Sequence, residues 1–529
     1  MSTSSPSTEA FSALRLAALL AGGVLTVWTT NAIVQRRRRN PKGLPYVPGP
    51  KGQLFVGNLA QIPRDQAWVG YHELCKEYGD MTRLQVLGTE ILVIDTLKHA
   101  TALLEKRAAN YSDRPDIPVA HLIDTYWSFA IMPYGNRWRQ HRRVFHQYLN
   151  QNAISKYHPI IQSEREAFLR RLKEDPKNFF EHIQLLFGST IMRTTYGFDD
   201  IGKNAELIHS AETLVREFGL ATAPGAHLVS TFPALRHVPD WFPGTGWKQY
   251  MKGLADLSKE VLETPFQDAK DNLVGGLCLA NGQKEIYPSI AGILLDRLPE
   301  MQAAERAQAE TMAKNVCGLT YIGTSSRSIA SSMVLVLALA NHPEVQRKAQ
   351  VELDAVVGSD RLPTITDRSS LPYVHAIVKE LGRWYNAAPL GVVHCSTEDD
   401  EYEGYFIPKG TMIIPNVWSM MHDPETFERP DDFYPERYLK DGRIDLSVPD
   451  GELATFGFGR RICPGRHFSN DVIFLYAASL LAMFDIASPK DESGQSVELK
   501  LELGNGPVAV PKPFECVFTV RPGREGLLG

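Results

Sequence analysis

The chain has 529 residues, of which 43% are hydrophobic and 22% are charged. This is the composition of a globular protein, and it excludes a wholly disordered chain and a polytopic membrane protein. Lys and Arg number 56 against 61 Asp and Glu, a net charge of −5, so no general affinity for nucleic acid is expected.

The N-terminal region contains an uncharged stretch at residues 16–33, with Arg15 before it and four arginines at 36–39 after it. A membrane span needs roughly 17–25 apolar residues, so the stretch is long enough. A cleaved signal peptide carries its basic residues before the apolar run, whereas the order here favours a cytosolic C-terminal portion. The pattern predicts a short lumenal segment at 1–15 and a single-pass transmembrane anchor at 16–34.

Residues 35–52 are first basic and then rich in Pro and Gly, which predicts a hinge before a body that extends over 53–529. Helical periodicity dominates the body after two early strands. Strands are expected at 81–87, 90–94 and within 404–416, and helices at 303–340, 343–358, 371–385 and 467–480. The predicted fold class is one large domain, mainly α with a small β part (α+β), preceded by one N-terminal transmembrane helix.

The six cysteines are scattered and form no CxxC pair, which argues against a disulfide scaffold and a zinc ribbon. Cys463 alone has a special setting, because glycines flank it and a helix follows. The N–H groups and the positive dipole end of that helix favour a thiolate. We expect Gly459 and Gly465 to let the backbone approach closely. The other cysteines are expected to be structural.

The ten residues from Phe456 to Gly465, FGFGRRICPG, fit the pattern F-x-x-G-x-R-x-C-x-G at all five fixed positions. This is the haem-binding signature of the cytochrome P450 superfamily, and the chain resembles its fungal microsomal members of secondary metabolism, of the O-methylsterigmatocystin oxidoreductase and tryptamine 4-monooxygenase types. The resemblance implies the cytochrome P450 fold and a heme b whose iron is ligated by Cys463. It also implies that Phe456 covers the sulfur side of the ring and that Arg461 binds a haem propionate.

Further segments follow the family's order. Glu380 and Arg383 resemble its E-x-x-R helix, and Arg437 lies in a segment that resembles P-E-R-F and joins that pair in relatives. Trp138 and Arg142 resemble the W-x-x-x-R helix, whose Trp and Arg contact a propionate. His394 lies where relatives place another propionate partner, although it could also be an ordinary polar residue at a strand end.

The chain departs from the family in the long helix that normally carries an acid and an alcohol for proton relay to bound dioxygen. Counted without a gap, Ser326 takes the acid position and Arg327 the alcohol position, whereas a one-residue shift, which needs a π-bulge, keeps an alcohol. Arg327 is a poor proton donor but could bind a substrate carboxylate, as in the family's fatty-acid peroxygenases. Alternatively, Arg327 points away from the haem and Ser328 supplies the hydroxyl.

The resemblance implies a haem-thiolate monooxygenase that inserts one oxygen atom from dioxygen into a small lipophilic substrate, in secondary metabolism or xenobiotic oxidation. Segments that line the substrate space in relatives are mostly apolar here, among them Val119, Trp127 and Phe129. No dinucleotide motif is present, so electrons are expected from NADPH through cytochrome P450 reductase, with cytochrome b5 as a second donor. The expected location is the endoplasmic reticulum membrane, with the catalytic domain in the cytosol and in contact with membrane lipid.

Two alternatives remain at this point. One is a haem-thiolate enzyme that uses peroxide or rearranges its substrate without a reductase, which the sequence at Ser326 and Arg327 suggests. The other is a haem-binding protein without catalysis.

Overall fold

A computed structural model describes residues 37–223, 225–274, 289–298, 302–504, 506 and 508–528. The anchor expected at 16–34 and the lumenal segment at 1–15 lie outside these residues. Within the described part, the chain is mostly helical with small sheets, as the sequence predicts.

Helices make up most of the body, and they occur both as long core helices and as short connecting turns. They are α1 (Ala67–Tyr78), α2 (Leu97–Ala100), α3 (Ala108–Tyr111), α4 (Pro118–Leu122), α5 (Asn136–Leu149), α6 (His158–Glu174), α7 (Phe179–Tyr196), α8 (Ile201–Thr222), α9 (Gly246–Val274), α10 (Ile290–Asp296), α11 (Ala303–Asn341), α12 (Pro343–Val356), α13 (Pro372–Trp384), α14 (Val417–Met421), α15 (Gly451–Thr455) and α16 (Arg466–Met483).

Helix α11 is the longest, and it follows the predicted span to within one residue. Its 39 residues contain no proline, so nothing interrupts the backbone hydrogen bonds, and at 1.5 Å per residue it extends for roughly 58 Å. It is the one helix of the described chain that is long and apolar enough to span a membrane, but most of its apolar part is buried inside the protein. It is therefore the central core helix of the body.

The main sheet has four strands in the order β1-β2-β6-β3. Its strands are β1 (Met81–Val86), β2 (Thr89–Ile94), β3 (His394–Cys395) and β6 (Met412–Pro415). The other described strands form three separate antiparallel pairs: β4 (Asp400–Tyr402) with β5 (Tyr405–Ile407), β7 (Leu439–Lys440) with β8 (Arg443–Ile444), and β9 (Phe484–Ala487) with β10 (Val517–Val520). Strand β2 runs parallel to β6, and β3 runs antiparallel to it. This register places His394 opposite Ile413, on the edge strand of the sheet.

The core lies where α11 packs against α7, α13 and α16. Helix α16 is apolar on nearly every face, and from Val472 to Met483 each of its residues is buried. A helix that is apolar all round must be surrounded by other elements, which explains its central position. Because α16 begins directly after the cysteine loop, this burial fixes the position of that loop.

The predicted hinge is attached to the body rather than free. The backbone N–H of Phe406 donates to Pro45 O at 2.8 Å, and that of Arg83 donates to Pro48 O at 2.8 Å. Arg39 forms an ion pair with Asp399. A segment held this way transmits the position of any preceding anchor to the body, because its residues cannot move independently.

Candidate functional site

The cysteine loop connects α15 to α16 and is closed by its own backbone. The N–H of Cys463 donates to Phe456 O at 2.8 Å, and the N–H of Ile462 donates to Gly459 O at 3.2 Å. Helix α16 begins at Arg466 with Gly465 as its N-cap, so Cys463 lies just before the helix and is half-buried. A thiolate at this position faces the positive end of the helix dipole.

Gly459 holds the loop against the preceding chain. Its φ is +56°, and an added Cβ would lie 2.1 Å from the carbonyl oxygen of Leu104 in the π-helical turn Thr101–Lys106. No other residue fits there. At Gly465, by contrast, a Cβ would meet Cys463 Sγ and Phe145 Cζ at 3.9 Å, which is an ordinary contact, so the described protein atoms do not approach this glycine as closely as we expected.

Arg461 is buried beside the loop, and most of its donors are used within the protein. Its Nε donates to Ser112 O at 2.7 Å, and its two Nη atoms donate to Phe129 O at 3.4 Å and Met132 O at 2.7 Å. The guanidinium carbon lies 4.6 Å from the ring centroid of Trp138. An Arg has five N–H donors, so two remain for a carboxylate. Burial lowers the pKa of Arg461 to about 10, while the charge of Asp113 acts in the opposite direction.

Arg142 lies one helical turn after Trp138 on α5 and has no hydrogen-bond or ion-pair partner among the described residues. Burial lowers its pKa to about 10, while the charge of Cys463 acts in the opposite direction. Arg142 is thus close to the sulfur and lacks an anion. Trp138 itself is buried and packs at 5.0 Å against the ring of Tyr134.

His394 is buried on β3, and its Nδ1 lies 2.7 Å from Tyr111 O. Because a carbonyl can only accept, Nδ1 carries the proton and Nε2 is the acceptor of the neutral ring. Burial lowers the pKa of His394 well below its usual value, and the charge of Arg114 contributes. Nε2 can therefore donate to a carboxylate only after the ring has gained a second proton. The negative charge of that carboxylate would stabilise the doubly protonated ring.

The three residues of the predicted proton-relay segment on α11, Ser326, Arg327 and Ser328, differ in their surroundings. Ser326 lies outside the residues whose side chains the structure describes. Arg327 is affected by the charge of Cys463, and burial lowers its pKa; it has no hydrogen-bond partner in the described part of the chain. Ser328 is buried, and its Oγ lies 3.0 Å from Ser469 Oγ on α16. Residues 303–341 are α-helical throughout, without the π-bulge that a shifted register would need. The charge of Cys463 thus reaches Arg327, whereas the hydroxyl of Ser328 joins α11 to α16.

Arg114 is a further member of this site that we did not predict from the sequence. It is 8% exposed, and it donates to Ala130 O at 3.0 Å and to Val393 O at 2.7 Å. Burial lowers its pKa well below the usual value, and the charges of Arg461 and Arg327 contribute. The only sequence signal was the adjacent Asp113, whose carboxylate accepts the N–H groups of Arg114 and Tyr134. No family motif includes this pair.

The residues present fit a haem. Four guanidinium groups whose pKa values are all lowered by burial lie close to one another or to Cys463, namely Arg114, Arg142, Arg327 and Arg461. Two of them, Arg142 and Arg327, have no hydrogen-bond or ion-pair partner among the residues that the structure describes, which is a costly arrangement for buried charge unless an anion enters. A group that carries two carboxylates and a metal with affinity for sulfur satisfies both the arginines and the cysteine.

The predicted triad behind this site is present. Glu380 and Arg383 are fully buried and paired through two hydrogen bonds of 2.8 and 2.9 Å. Arg437 Nε donates to the second oxygen of Glu380 at 2.9 Å. Arg383 also donates to Met421 O at 2.9 Å and Asp432 O at 2.9 Å. The triad therefore connects α13 to the chain that leads into the cysteine loop.

The other described cysteines are inert by comparison. Burial raises the pKa of Cys75 and of Cys516 to about 12 and that of Cys395 to about 11, and it also raises the pKa of Cys317. A thiol in such surroundings is not a good nucleophile or metal ligand. Cys278 lies outside the described residues.

Three side chains that we expect to line the substrate space are buried and in contact with other parts of the body. Val119 is fully buried, Trp127 Nε1 donates to Ser258 Oγ at 3.0 Å, and the ring of Phe129 packs edge-on at 5.4 Å against that of Phe145. Packing accounts for their burial, and their place along a substrate space stays a prediction.

Comparison with known proteins identifies close relatives over nearly the whole chain. The family model "Cytochrome P450" matches residues 47–515. Cytochrome P450 monooxygenase COX1 of Coprinopsis cinerea is 48% identical over 94% of this chain and 96% of its own length. COX2 of the same fungus is 40% identical over 92% and 90%, and the monooxygenase claR of Ampulloclitocybe clavipes is 35% identical over 94% and 90%.

Proposed function

This chain belongs to the cytochrome P450 family and is a haem-thiolate monooxygenase, and from that premise we propose that Cys463 is the thiolate ligand of a heme b that oxidises a small lipophilic substrate. The observation that carries the proposal is the position of Cys463, before the buried helix α16 and within reach of the charges of Arg142 and Arg327. When bound, the haem supplies the activation of dioxygen and the transfer of one oxygen atom.

The protein's own residues hold and orient that group. Cys463 is fixed by the hydrogen bond from its N–H to Phe456 O. Arg142 and the two free donors of Arg461 are available for propionates, with Trp138 stacked beneath Arg461. His394 can take a propionate when its ring gains a second proton. Arg327 would add a positive charge whose field reaches Cys463.

A reduced carbon monoxide spectrum tests the ligand assignment. The purified, reduced protein should give the thiolate-shifted Soret band, and Cys463→Ala should abolish it. Cys395→Ala is the matched control, because burial raises the pKa of that thiol to about 11 and it should leave the band unchanged. A band that survives Cys463→Ala would contradict the assignment.

We also propose that the electrons come from NADPH through cytochrome P450 reductase, with cytochrome b5 as an additional donor. The support is a basic surface beside the cysteine loop, made of the exposed Arg139, Arg143 and Arg460. Arg139 and Arg460 both lie over the ring of Tyr134, at 5.5 and 5.4 Å, which places α5 and the loop on one face. Such a surface attracts an acidic partner.

A membrane location on the cytosolic face of the endoplasmic reticulum, with an anchor at 16–34, is likewise a proposal. Its support within the described chain is a set of exposed apolar side chains: Leu54, Phe55, Leu228, Phe232, Trp241 and Phe242. The segment that contains Leu54 and Phe55 lies beside the segment that leads to Leu228, because a Cβ at Gly225 would lie 3.1 Å from Leu59 Cδ1. Aromatic and aliphatic groups exposed together mark a surface that contacts lipid or protein.

The second candidate function is peroxide-driven oxidation or substrate rearrangement, which needs no reductase. It is favoured by Arg327, which the charge of Cys463 influences and which has no partner within the described part of the chain, and by the hydrogen bond between Ser328 and Ser469. Because an Arg does not relay protons, it suits a substrate that brings its own carboxylate. The relatives are monooxygenases, so we do not retain the non-catalytic alternative.

Metabolites of a host that expresses the chain separate the two candidates. A product that appears only when the reductase is co-expressed supports the monooxygenase with lipophilic substrates of secondary metabolism. Turnover of the purified protein with hydrogen peroxide, and none with NADPH and reductase, supports the second candidate.

A further inference from the structure

A second cavity lies apart from the cysteine site, between the end of α5, the turn before α6 and the end of α10. Its volume is about 390 Å³, and it is lined by Gln147, Tyr148, Lys156, Ile293 and Arg297. Pockets that bind small molecules start at roughly 300 Å³, so the cavity has room for a small organic ligand. Nothing in the proposed function uses it.

The cavity contains two cationic groups without an anion. Neither Lys156 nor Arg297 forms an ion pair with a carboxylate of the described residues. Lys156 lies over the rings of Tyr148 and Tyr157, at 5.1 and 4.8 Å, which holds its ammonium group at the cavity wall. Burial lowers the pKa of Lys156, and the charge of Arg297 adds to that effect. The two charges therefore repel each other until an anion enters.

Tyr148 gives an independent indication of a ligand. Its side chain lines the cavity, yet the residue is only 4% exposed, and its phenolic oxygen has no hydrogen-bond partner in the described chain. A buried hydroxyl without a partner is rare and costs free energy. Tyr148 and Arg297 line the same cavity, and the charge of Arg297 acts on this phenol.

We propose that this cavity binds the phosphate group of a small soluble phosphate monoester. Two positive charges match a phosphate monoester, which carries about −1.5 to −2 at pH 7, better than a single carboxylate. Arg297 can donate in bidentate fashion, Lys156 acts as a point charge, and the Tyr148 hydroxyl gains the partner that it lacks. The apolar side chain of Ile293 provides a surface for the organic part of the ligand.

Calorimetric titration of the purified, haem-loaded full chain with AMP, inorganic phosphate and adenosine tests this proposal. AMP should bind, and its affinity should be higher than that of inorganic phosphate, whereas adenosine should not bind. Because a hydrogen bond to a charged group contributes roughly 1.5–3 kcal/mol, Arg297→Gln and Lys156→Gln should each weaken AMP binding by about 10-fold or more. Added NaCl should weaken it as well.

Tyr148→Phe is the sharpest variant, because it removes only the hydroxyl that lacks a partner. It should weaken AMP binding by roughly 3- to 10-fold without lowering the melting temperature. Lys177→Gln is the control, since it removes an exposed lysine beyond the other end of α6, whose 17 residues extend for roughly 25 Å.

Wild-type protein that does not bind AMP at millimolar concentration, or variants that bind it equally well, would overturn the proposal. The carbon monoxide spectrum should stay unchanged throughout, which separates this result from the fate of the proposed function.

Discussion

At the scale of single residues, Arg327 sets this chain apart from its family's usual proton-relay pair. Its guanidinium is influenced by the charge of Cys463, has no hydrogen-bond or ion-pair partner in the described chain, and has its pKa lowered by burial. A cation in that position repels other cations and stabilises an anion, so it acts on the choice of substrate.

Arg327→Leu should therefore weaken the binding of carboxylate ligands. Loss of a charge-assisted hydrogen bond of roughly 1.5–3 kcal/mol predicts about a 10- to 100-fold rise in the dissociation constant of dodecanoic acid, measured by its effect on the Soret spectrum of the purified protein. The neutral methyl ester should bind both forms alike, and Arg327→Lys should restore part of the affinity. Equal binding of the acid by wild type and Arg327→Leu would show that Arg327 does not contact the carboxylate.

The residues that a motif names were accessible from the sequence, while those held only by tertiary contacts were not. Glu380, Arg383 and Arg437 form the ion pairs that the resemblance implies. Arg114 carries no motif, because its role depends on carbonyl groups of residues 130, 392 and 393, which the fold alone brings together. The hydrogen bond of Ser328 to Ser469 likewise joins two helices that are distant in the chain.

At the scale of elements, the helix boundaries followed from proline and glycine positions. The chain from Pro343 was expected to be helical, and α12 begins there; α11 ends two residues earlier, at Asn341. Proline at the first turn fits a helix start because its missing N–H is not needed there. The docking of residues 39–48 onto β1 and β5 could not be predicted, since Pro and Gly content indicates a turn but not what it contacts.

The buried triad supports the junction of α13 with the chain that leads to the cysteine loop, and its loss should unfold this junction. Glu380→Gln leaves two buried guanidinium groups without their counter-charge, so we expect a loss of about 3–5 kcal/mol in the free energy of unfolding. Glu502→Gln is the matched control in an exposed pair with Lys512, where the cost should stay below about 1 kcal/mol. Urea unfolding of the haem-loaded protein measures both, and similar losses would argue against a supporting role of the triad.

At the scale of the whole molecule, two histidines connect stability to pH. Burial lowers the pKa of His375 and of His422 to about 4, against an ordinary value of 6.5. Both rings are therefore neutral in the folded protein, and the unfolded chain binds protons more readily. The stability that this provides is present above pH 6.5 and is lost as the pH falls through about 4.

Urea midpoints should accordingly decrease from pH 7.5 to pH 4.5. At 1.36 kcal/mol per unit of pKa, and allowing for partial exposure of His375, each ring contributes about 2–3 kcal/mol at the acid end. His375→Gln should flatten this dependence, whereas His121→Gln, at an exposed ion pair with Asp116, should not. An unchanged slope in His375→Gln would mean that other groups dominate acid unfolding.

The proposed electron delivery also belongs to the scale of the whole molecule, because the basic surface on α5 lies on the same face as the loop that holds Cys463. Arg143 is exposed and has no ion-pair partner among the described residues, so its charge is free to meet an acidic partner. Arg143→Glu should raise the reductase concentration for half-maximal turnover by roughly 5- to 10-fold, on the order of one kcal/mol, and the effect should shrink as NaCl screens the surface charges.

The carbon monoxide spectrum after chemical reduction bypasses the partner and should remain that of the wild type. Lys252→Glu, which makes the same charge reversal on α9, should leave the reductase dependence unchanged. If both variants lower turnover equally, net charge rather than this face controls the encounter; if neither does, the reductase approaches elsewhere.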